Sequence, residues 1–275
     1  MARIDTHIHL YDPAMGVYSW PAPGSPFYRL ISAEEYAQAC VGEEARAVVV
    51  GCSSEYELNE KLCALCQKDP RAAVYVAQFD PEEEQMPEYA KKLARYPVYR
   101  GFRVSCDGAL KHKERVAKAW IPGTVIELLG NYTVTLKLYD WMKEHPEISF
   151  VVEHFGLHLF TEQPVPQEYK DACTKLAELP NVSIKVSGMF TLCKIPGKPL
   201  DTAFYREAYQ AVVDAFGEDR CMYGSDWPVM GVPLSDCDAV SRELARICCG
   251  ESAVEKIMGD NAARIYRISG EVGGN

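Results

Sequence analysis

Eight short β-branched runs, each followed by a stretch of helical periodicity, leave this chain few folds to adopt. The runs cover residues 3–9, 47–52, 73–79, 101–105, 124–129, 149–154, 182–187 and 220–224. The amphipathic stretches between and after them cover 33–41, 55–67, 86–94, 111–119, 134–144, 167–178, 202–216 and 236–248. A tail over 253–268 adds one or two helical turns. Ser32, Ser54 and Asp201 stand where three of the helices would begin, with side chains able to accept orphan N–H groups. Val48-Val49-Val50 and Phe150-Val151-Val152 are apolar on both faces, as parallel strands covered by helices are. Eight strand–helix units within 275 residues match the size of a (β/α)8 TIM barrel. An open doubly wound sheet fits less well, because no Gly-rich phosphate loop follows any of the runs. With no repeat, linker or low-complexity segment in view, the expectation is an α/β chain whose residues 1–275 form one barrel domain.

In such a barrel the working groups lie at the C-terminal strand ends. The first run reads Asp5-Thr6-His7-Ile8-His9, and residues i and i+2 of a strand share a face, so both imidazoles are expected in the barrel mouth. His154 ends the sixth run just before Gly156, and Asp226 follows the last in Tyr223-Gly224-Ser225-Asp226-Trp227-Pro228. A carboxylate fixed beside imidazoles suits a general base or an oxygen ligand to a metal. Arg103 on the fourth run offers a bidentate anchor for a substrate carboxylate or hydroxyls. Lys185, inside an otherwise apolar strand, requires a partner or a role and is expected to help bind the substrate, and Glu127 on the fifth run is of the same kind but weaker. Glu127 reads as a further metal ligand or as an ion-pair partner of Lys185 or Arg103. His158 is a weaker candidate in a loop, while His112 and His145 sit in helical surroundings. The connection over 11–31 is long and rich in aromatics and prolines, which in a compact domain points to a functional lid. Trp20 in that lid and Trp227 after the last strand are expected against the substrate.

The net charge of −10 disfavours phosphate backbones and anionic lipid, so neither nucleic acid nor membrane is an expected partner. The expected partner is a small-molecule substrate, with room for a homo-oligomer. No apolar stretch is long enough to span a bilayer, and the chain enters its first motif at once, so the expected compartment is the cytoplasm. Eleven scattered cysteines, including Cys63-x-x-Cys66 and the adjacent Cys248-Cys249, read as reduced thiols packed as small apolar groups.

Six motifs in order resemble those of the lactonase branch of the amidohydrolase superfamily, which includes the sugar-acid lactonases and 2-pyrone-4,6-dicarboxylate lactonase. They are Asp5-Thr-His-Ile-His-Leu-Tyr-Asp-Pro with Tyr18-Ser-Trp-Pro, Arg100-Gly-Phe-Arg103, Phe150-Val-Val-Glu-His154-Phe-Gly, Asn181-Val-Ser-Ile-Lys185-Val-Ser-Gly, Arg220-Cys-Met-Tyr-Gly-Ser-Asp226-Trp-Pro-Val, and Gly259-Asp-Asn261-Ala-Ala-Arg264-Ile-Tyr. The resemblance implies a distorted (β/α)8 barrel and hydrolysis of a cyclic ester. It implies His7, His9 and His154 around the scissile carbonyl, Asp226 as the base that activates water, and Arg103 as a substrate anchor. Two departures stand out. The fifth strand carries Glu127 where many metal-dependent members of the superfamily have histidine, so Zn2+ is held by fewer ligands, from among His7, His9, Asp226 and Glu127, or is not required. Glu153-His154 replaces the branch's usual Asp-His, and simple alternation from His154 would turn Glu153 outward. Residues 111–122 are also short for the fourth loop.

The expected function is therefore hydrolysis of a small anionic or polyhydroxylated lactone. A zinc-dependent decarboxylase of an unsaturated or aromatic acid, from the same superfamily, is the alternative. A non-catalytic barrel that binds a small acid or sugar is the rival from another class.

Overall fold

The computed structural model describes residues 3–268 except 17, 19, 43, 45, 162, 163, 196, 198 and 199. The eight β-branched runs become strands β1 (Asp5–Ile8), β2 (Ala47–Val50), β3 (Ala72–Gln78), β4 (Tyr99–Ser105), β5 (Val125–Leu129), β6 (Ser149–Val152), β7 (Val182–Ser187) and β8 (Cys221–Gly224). All pair in parallel in the order β1 to β8, the ring of a (β/α)8 barrel. One side chain set from each strand packs outward under the helices, as Val49, Phe102, Phe150 and Tyr223 do. The other set fills the barrel. Its lower layer is Ile4, Val48, Val50, Val74, Val76, Val125, Val151 and Met222, closed from below by Ala262 and Tyr266 of the C-terminal helical turns. Two residues further along several of these strands the inward positions turn polar: Gln78, Arg103, Glu127, Glu153 and Lys185. The functional rim thus rests on a charged layer, and that layer rests on a dry one.

The seam between β8 and β1 is distorted rather than laddered. The register of β1 slips between Asp5 and Ile8. The Asp5 carboxylate accepts from the Tyr36 hydroxyl at 3.2 Å, from Ser225 N at 2.8 Å and Oγ at 2.5 Å, and from His7 N at 3.1 Å. The backbone of Asp226 donates to His7 O, and that of His9 to Trp227 O, both at 2.9 Å. The same seam that closes the barrel therefore sets Asp226 beside the two histidines.

Most helices fall where periodicity puts them. Ser32 Oγ accepts from Glu35 N and starts the helix Ala33–Ala39, and Asp201 occupies the cap position of Thr202–Phe216. Ser54 is not a cap: Glu55 takes that position, and it is Ser53 Oγ that accepts from Glu55 N. The helix expected over 111–119 is two, Cys106–Lys111 and Lys113–Ala119. Ser105 caps the first directly off β4, and His112 (φ −128°, ψ 38°) leaves the helical region. The segment expected over 134–144 starts at Tyr132 under an Asn131 cap and is interrupted by a 3-10 turn, Leu136–Leu138. All eleven cysteines are free thiols, and none of the described helices is long and apolar enough to cross a membrane.

Candidate active site

The register slip in β1 turns Asp5 toward Tyr36 and leaves His7 and His9 facing into the barrel. Their Nε2 atoms lie 3.2 Å apart. His9 Nδ1 sits 2.8 Å from the carbonyl of Val50. A carbonyl only accepts, so Nδ1 carries the proton and Nε2 presents its lone pair. Asp226 Oδ1 stands 3.8 Å from both Nε2 atoms. Its backbone is held in the left-handed region at φ 66°, which swings the carboxylate back over β1. Thr191 Oγ donates to Asp226 Oδ2 at 2.7 Å and fixes the carboxylate so that Oδ1 faces the imidazoles.

His154 reaches the same place by leaving β6. Its φ of 51° begins a left-handed stretch that continues through Phe155, Gly156 and Leu157. Its ring lies 4.3 Å from that of His7, and Nδ1 is 2.9 Å from Ser187 Oγ. Because His154 enters by this bend, strand alternation passes to its neighbour. Val151 and Glu153 both point inward, and Glu153 is fully buried at the barrel centre rather than turned out. Its Oε1 is 3.3 Å from His7 Nδ1, and its Oε2 faces Arg103 Nη1 at 3.4 Å.

The charged layer below accounts for the remaining candidates. Lys185 Nζ donates to Glu127 Oε2 at 2.6 Å, and the Tyr266 hydroxyl donates to Glu127 Oε1. Both oxygens of Glu127 are thereby taken, and it does not join the imidazoles as a metal ligand. Lys185 is fully buried and pointed at Glu127, so it supports the site from beneath instead of meeting a substrate. The ring of Trp227 packs against Tyr36 at 5.4 Å in the outer core, away from the mouth. Trp20 does reach the site: it is 40% exposed and edge-on to His9 at 5.1 Å. The loop that carries it is pinned at its base by paired backbone bonds between Tyr11 and Ile31. Arg103 lies at the rim with its Nη2 on Gly51 O at 2.8 Å and Gln78 Oε1 at 2.5 Å. His158 stacks on Tyr169 at 4.2 Å, in a separate aromatic cluster.

Electrostatics poise these groups. Burial drives the His9 and His154 imidazoles down to about 3, with Arg103 and Lys185 adding to the effect, and it holds His7 well below its usual range. All three are neutral at pH 7 and able to ligate or to donate one hydrogen bond. Burial pushes the Asp226 carboxyl up to about 7, opposed by the Thr191 hydroxyl. Burial also raises Glu127, opposed by Lys185, while Arg103 and Lys185 outweigh burial at Glu153 and hold it low.

Two neutral imidazole nitrogens and a carboxylate oxygen form the N, N, O donor set of open catalytic zinc sites. The triangle they make, with sides of 3.2, 3.8 and 3.8 Å, lies within reach of one ion bonded at about 2.0–2.2 Å. His7, His9 and Asp226 therefore fit a divalent cation. His7, Glu153 and His154 also approach one another closely enough for one. There, however, Glu153 already faces two cationic side chains, which disfavour a third positive charge.

Among the described residues, sequence reasoning missed Thr191, Ser187 and the inward Glu153. The inward set of Val151 on β6 and Glu153 just past its end, and of Ser183, Lys185 and Ser187 on β7, was the available signal for two of them. Thr191, in a short turn after β7, carried none.

The sequence profile described as amidohydrolase matches residues 4–268. This chain is a member of the amidohydrolase family. The amidohydrolase is 25% identical to an L-fucono-1,5-lactonase of Burkholderia ambifaria, over 97% of this chain and 96% of that one. Among solved structures it resembles an amidohydrolase from Burkholderia multivorans with bound zinc (TM-score 0.84, 23% identity, 98% of this chain and 100% of that one). It also resembles a probable 2-pyrone-4,6-dicarboxylic acid hydrolase from Acinetobacter baumannii with citric acid bound (TM-score 0.74, 18% identity, 97% and 100%). At these identities the two structures bear on the fold, and this amidohydrolase shares it.

Proposed function

We propose that this amidohydrolase opens a small, uncharged, polyhydroxylated lactone by water attack on the ring ester, with Asp226 as the base. The observation that carries the reading is the position of Asp226 Oδ1, 3.8 Å from both His7 and His9 and within one bridging water of each. The L-fucono-1,5-lactonase relative, matched along nearly the whole chain, supports the same class of reaction.

Asp226 takes a proton from water as the oxygen bonds to the ring carbonyl carbon. The tetrahedral oxyanion collapses with cleavage of the ring C–O bond. The proton held on Asp226 passes to the departing alkoxide, leaving a hydroxy acid that ionises and releases one proton. His154 Nδ1 lies 2.9 Å from Ser187 Oγ, and in the tautomer with its proton on Nε2 the ring offers a donor to the carbonyl oxygen, a contribution on the order of 3 kcal/mol for one preorganised donor. His7, His9 and Asp226 would hold zinc, the ion that the Burkholderia multivorans structure contains, and zinc there would supply Lewis acidity and make water a stronger acid. Trp20 offers an apolar edge to the face of a sugar ring.

The choice between the two expected substrate types follows from charge. Arg103 is engaged by Glu153, Gln78 and Gly51, and Lys185 by Glu127. Each buried cation is already balanced by a carboxylate, Arg103 by Glu153 and Lys185 by Glu127, and Asp226, Glu127 and Glu153 repel a substrate carboxylate. Arg103 also lines a cavity of about 220 Å3 in which Ser54, Gln78, Asp80 and Ser105 offer groups suited to hydroxyls and Phe79, Pro81, Val104 and Leu129 an apolar wall. In a proton-release screen, neutral aldonolactones are expected to be opened and dicarboxylic lactones to be poor substrates, with a chelator suppressing turnover. Preference for the dicarboxylic class, or no lactone opened, contradicts the proposal.

Thr191→Val removes the hydroxyl that orients the base. We expect kcat to fall about 10-fold, in line with the roughly 1.5–3 kcal/mol of a hydrogen bond to a charged group, with KM little changed. Thr191→Ser is expected to restore most of it. An undiminished kcat in the valine variant removes Thr191 from the account.

A further inference from the structure

Glu153 carries a carboxylate oxygen that is buried in the barrel without an aligned donor. Oε2 has Arg103, whereas Oε1 is sealed from water with no aligned donor. Its nearest polar neighbours are His7 Nδ1 at 3.3 Å and Lys185 Nζ at 3.7 Å. His7 Nδ1 is therefore flanked by a carboxylate at 3.3 Å and an ammonium at 3.4 Å, and the place of its single proton decides which contact is a bond. Two observations choose. The ammonium already gives its short bond, 2.6 Å, to Glu127. A proton on His7 Nε2 would deprive Glu153 Oε1 of its nearest nitrogen donor, leaving it Lys185 Nζ at 3.7 Å and the neighbouring Glu127 carboxyl.

We propose that Glu153 is a positioning residue: it accepts the His7 Nδ1–H and so presents the bare Nε2 of His7 toward His9 Nε2 and Asp226 Oδ1. Arg103 and Lys185 hold the carboxylate in this role, Arg103 on Oε2 and Lys185 beside Oε1. A carboxylate behind an imidazole also makes the far nitrogen a better electron donor. The inference rests on the metal site in the functional reading above and extends it by one shell. It also gives a use for the inward turn of Glu153, which the reaction itself does not touch.

Two measurements test it. The first uses the unaltered protein, zinc-free and zinc-loaded, in long-range 1H–15N spectra of the histidine rings, with His7 assigned by its loss in His7→Gln. The expected result is His7 protonated on Nδ1 in both forms, with zinc shifting the Nε2 signal. A proton on Nε2 in the zinc-free protein means that Nδ1 accepts from Lys185, and overturns the proposal. The second is zinc affinity of Glu153→Gln by competition with a chromophoric chelator, alongside circular dichroism. A 10–100-fold loss with the spectrum of the fold unchanged is expected, and affinity within twofold of the parent overturns the proposal. Should Glu153→Gln fail to fold, the tautomer of the parent protein decides alone. Zinc binding without any lactone turnover would sink the lactonase reading while leaving the role of Glu153 standing. A parent protein that binds no zinc would remove the metal site, and with it this role.

Discussion

Asp226→Asn is expected to lower lactone turnover by about 10²–10⁴-fold, the usual contribution of a positioned base, while the protein keeps its fold and its melting temperature. The substitution spares the fold for a structural reason, and zinc content measured alongside separates loss of the base from loss of a metal ligand. Asp226 holds φ 66°, a conformation that asparagine tolerates as well as aspartate, and its contribution to the barrel seam is made by the backbone N–H to His7 O. Replacement by alanine would mix a lost base with backbone strain. The amide retains an oxygen for the Thr191 hydroxyl but is no base for water. Steady-state kinetics with thermal unfolding separate the two effects. Full activity in Asp226→Asn removes the base assignment, and loss of the fold would show that the carboxylate holds the seam rather than the chemistry.

The second large effect is on stability. Lys185→Met leaves Glu127 and Glu153 buried, close together and without the ammonium between them. Breaking a buried pair by removing one partner costs about 3–5 kcal/mol. All three side chains are fully buried, so solvent screening does not reduce the penalty. Urea denaturation should show the loss as a lower midpoint with an unchanged slope. Lys185→Met combined with Glu127→Gln is expected to recover part of it, since the amide can still accept from Tyr266 and no longer brings a second buried negative charge. A single variant as stable as the parent would mean that the layer is wet or protonated and that the charges do not hold one another.

These two predictions concern parts of the molecule that were unequally visible in its sequence. The strands were legible because β-branched runs on both faces have no other stable use at this spacing, and the i, i+2 spacing of His7 and His9 on a strand places them together. The Lys185–Glu127 ion pair was legible as one of two readings, because a lysine inside an apolar strand needs a counter-charge. What remained hidden were departures from regular geometry. The slip in β1 that faces Asp5 away from His7, and the left-handed backbone from His154 that hands the inward position to Glu153, are local breaks in a period-two pattern. Counting His154 as an inward residue of the strand turned Glu153 outward, although Val151 and Glu153 keep the alternation. Trp227 was misplaced too: the chain after β8 continues the barrel seam, and its ring goes to the outer core with Tyr36. Thr191 was invisible because a hydroxyl in a short turn has no periodicity to read.

The decisive measurement is a single turnover of a neutral aldonolactone, with enzyme in excess, in 18O-labelled water. Direct attack by a water deprotonated at Asp226 puts the label in the carboxyl group of the product and none in the protein. Label recovered in the Asp226 side chain would show that this carboxylate is a nucleophile, and an unopened ring would show that the pocket serves another reaction. Either result contradicts the mechanism.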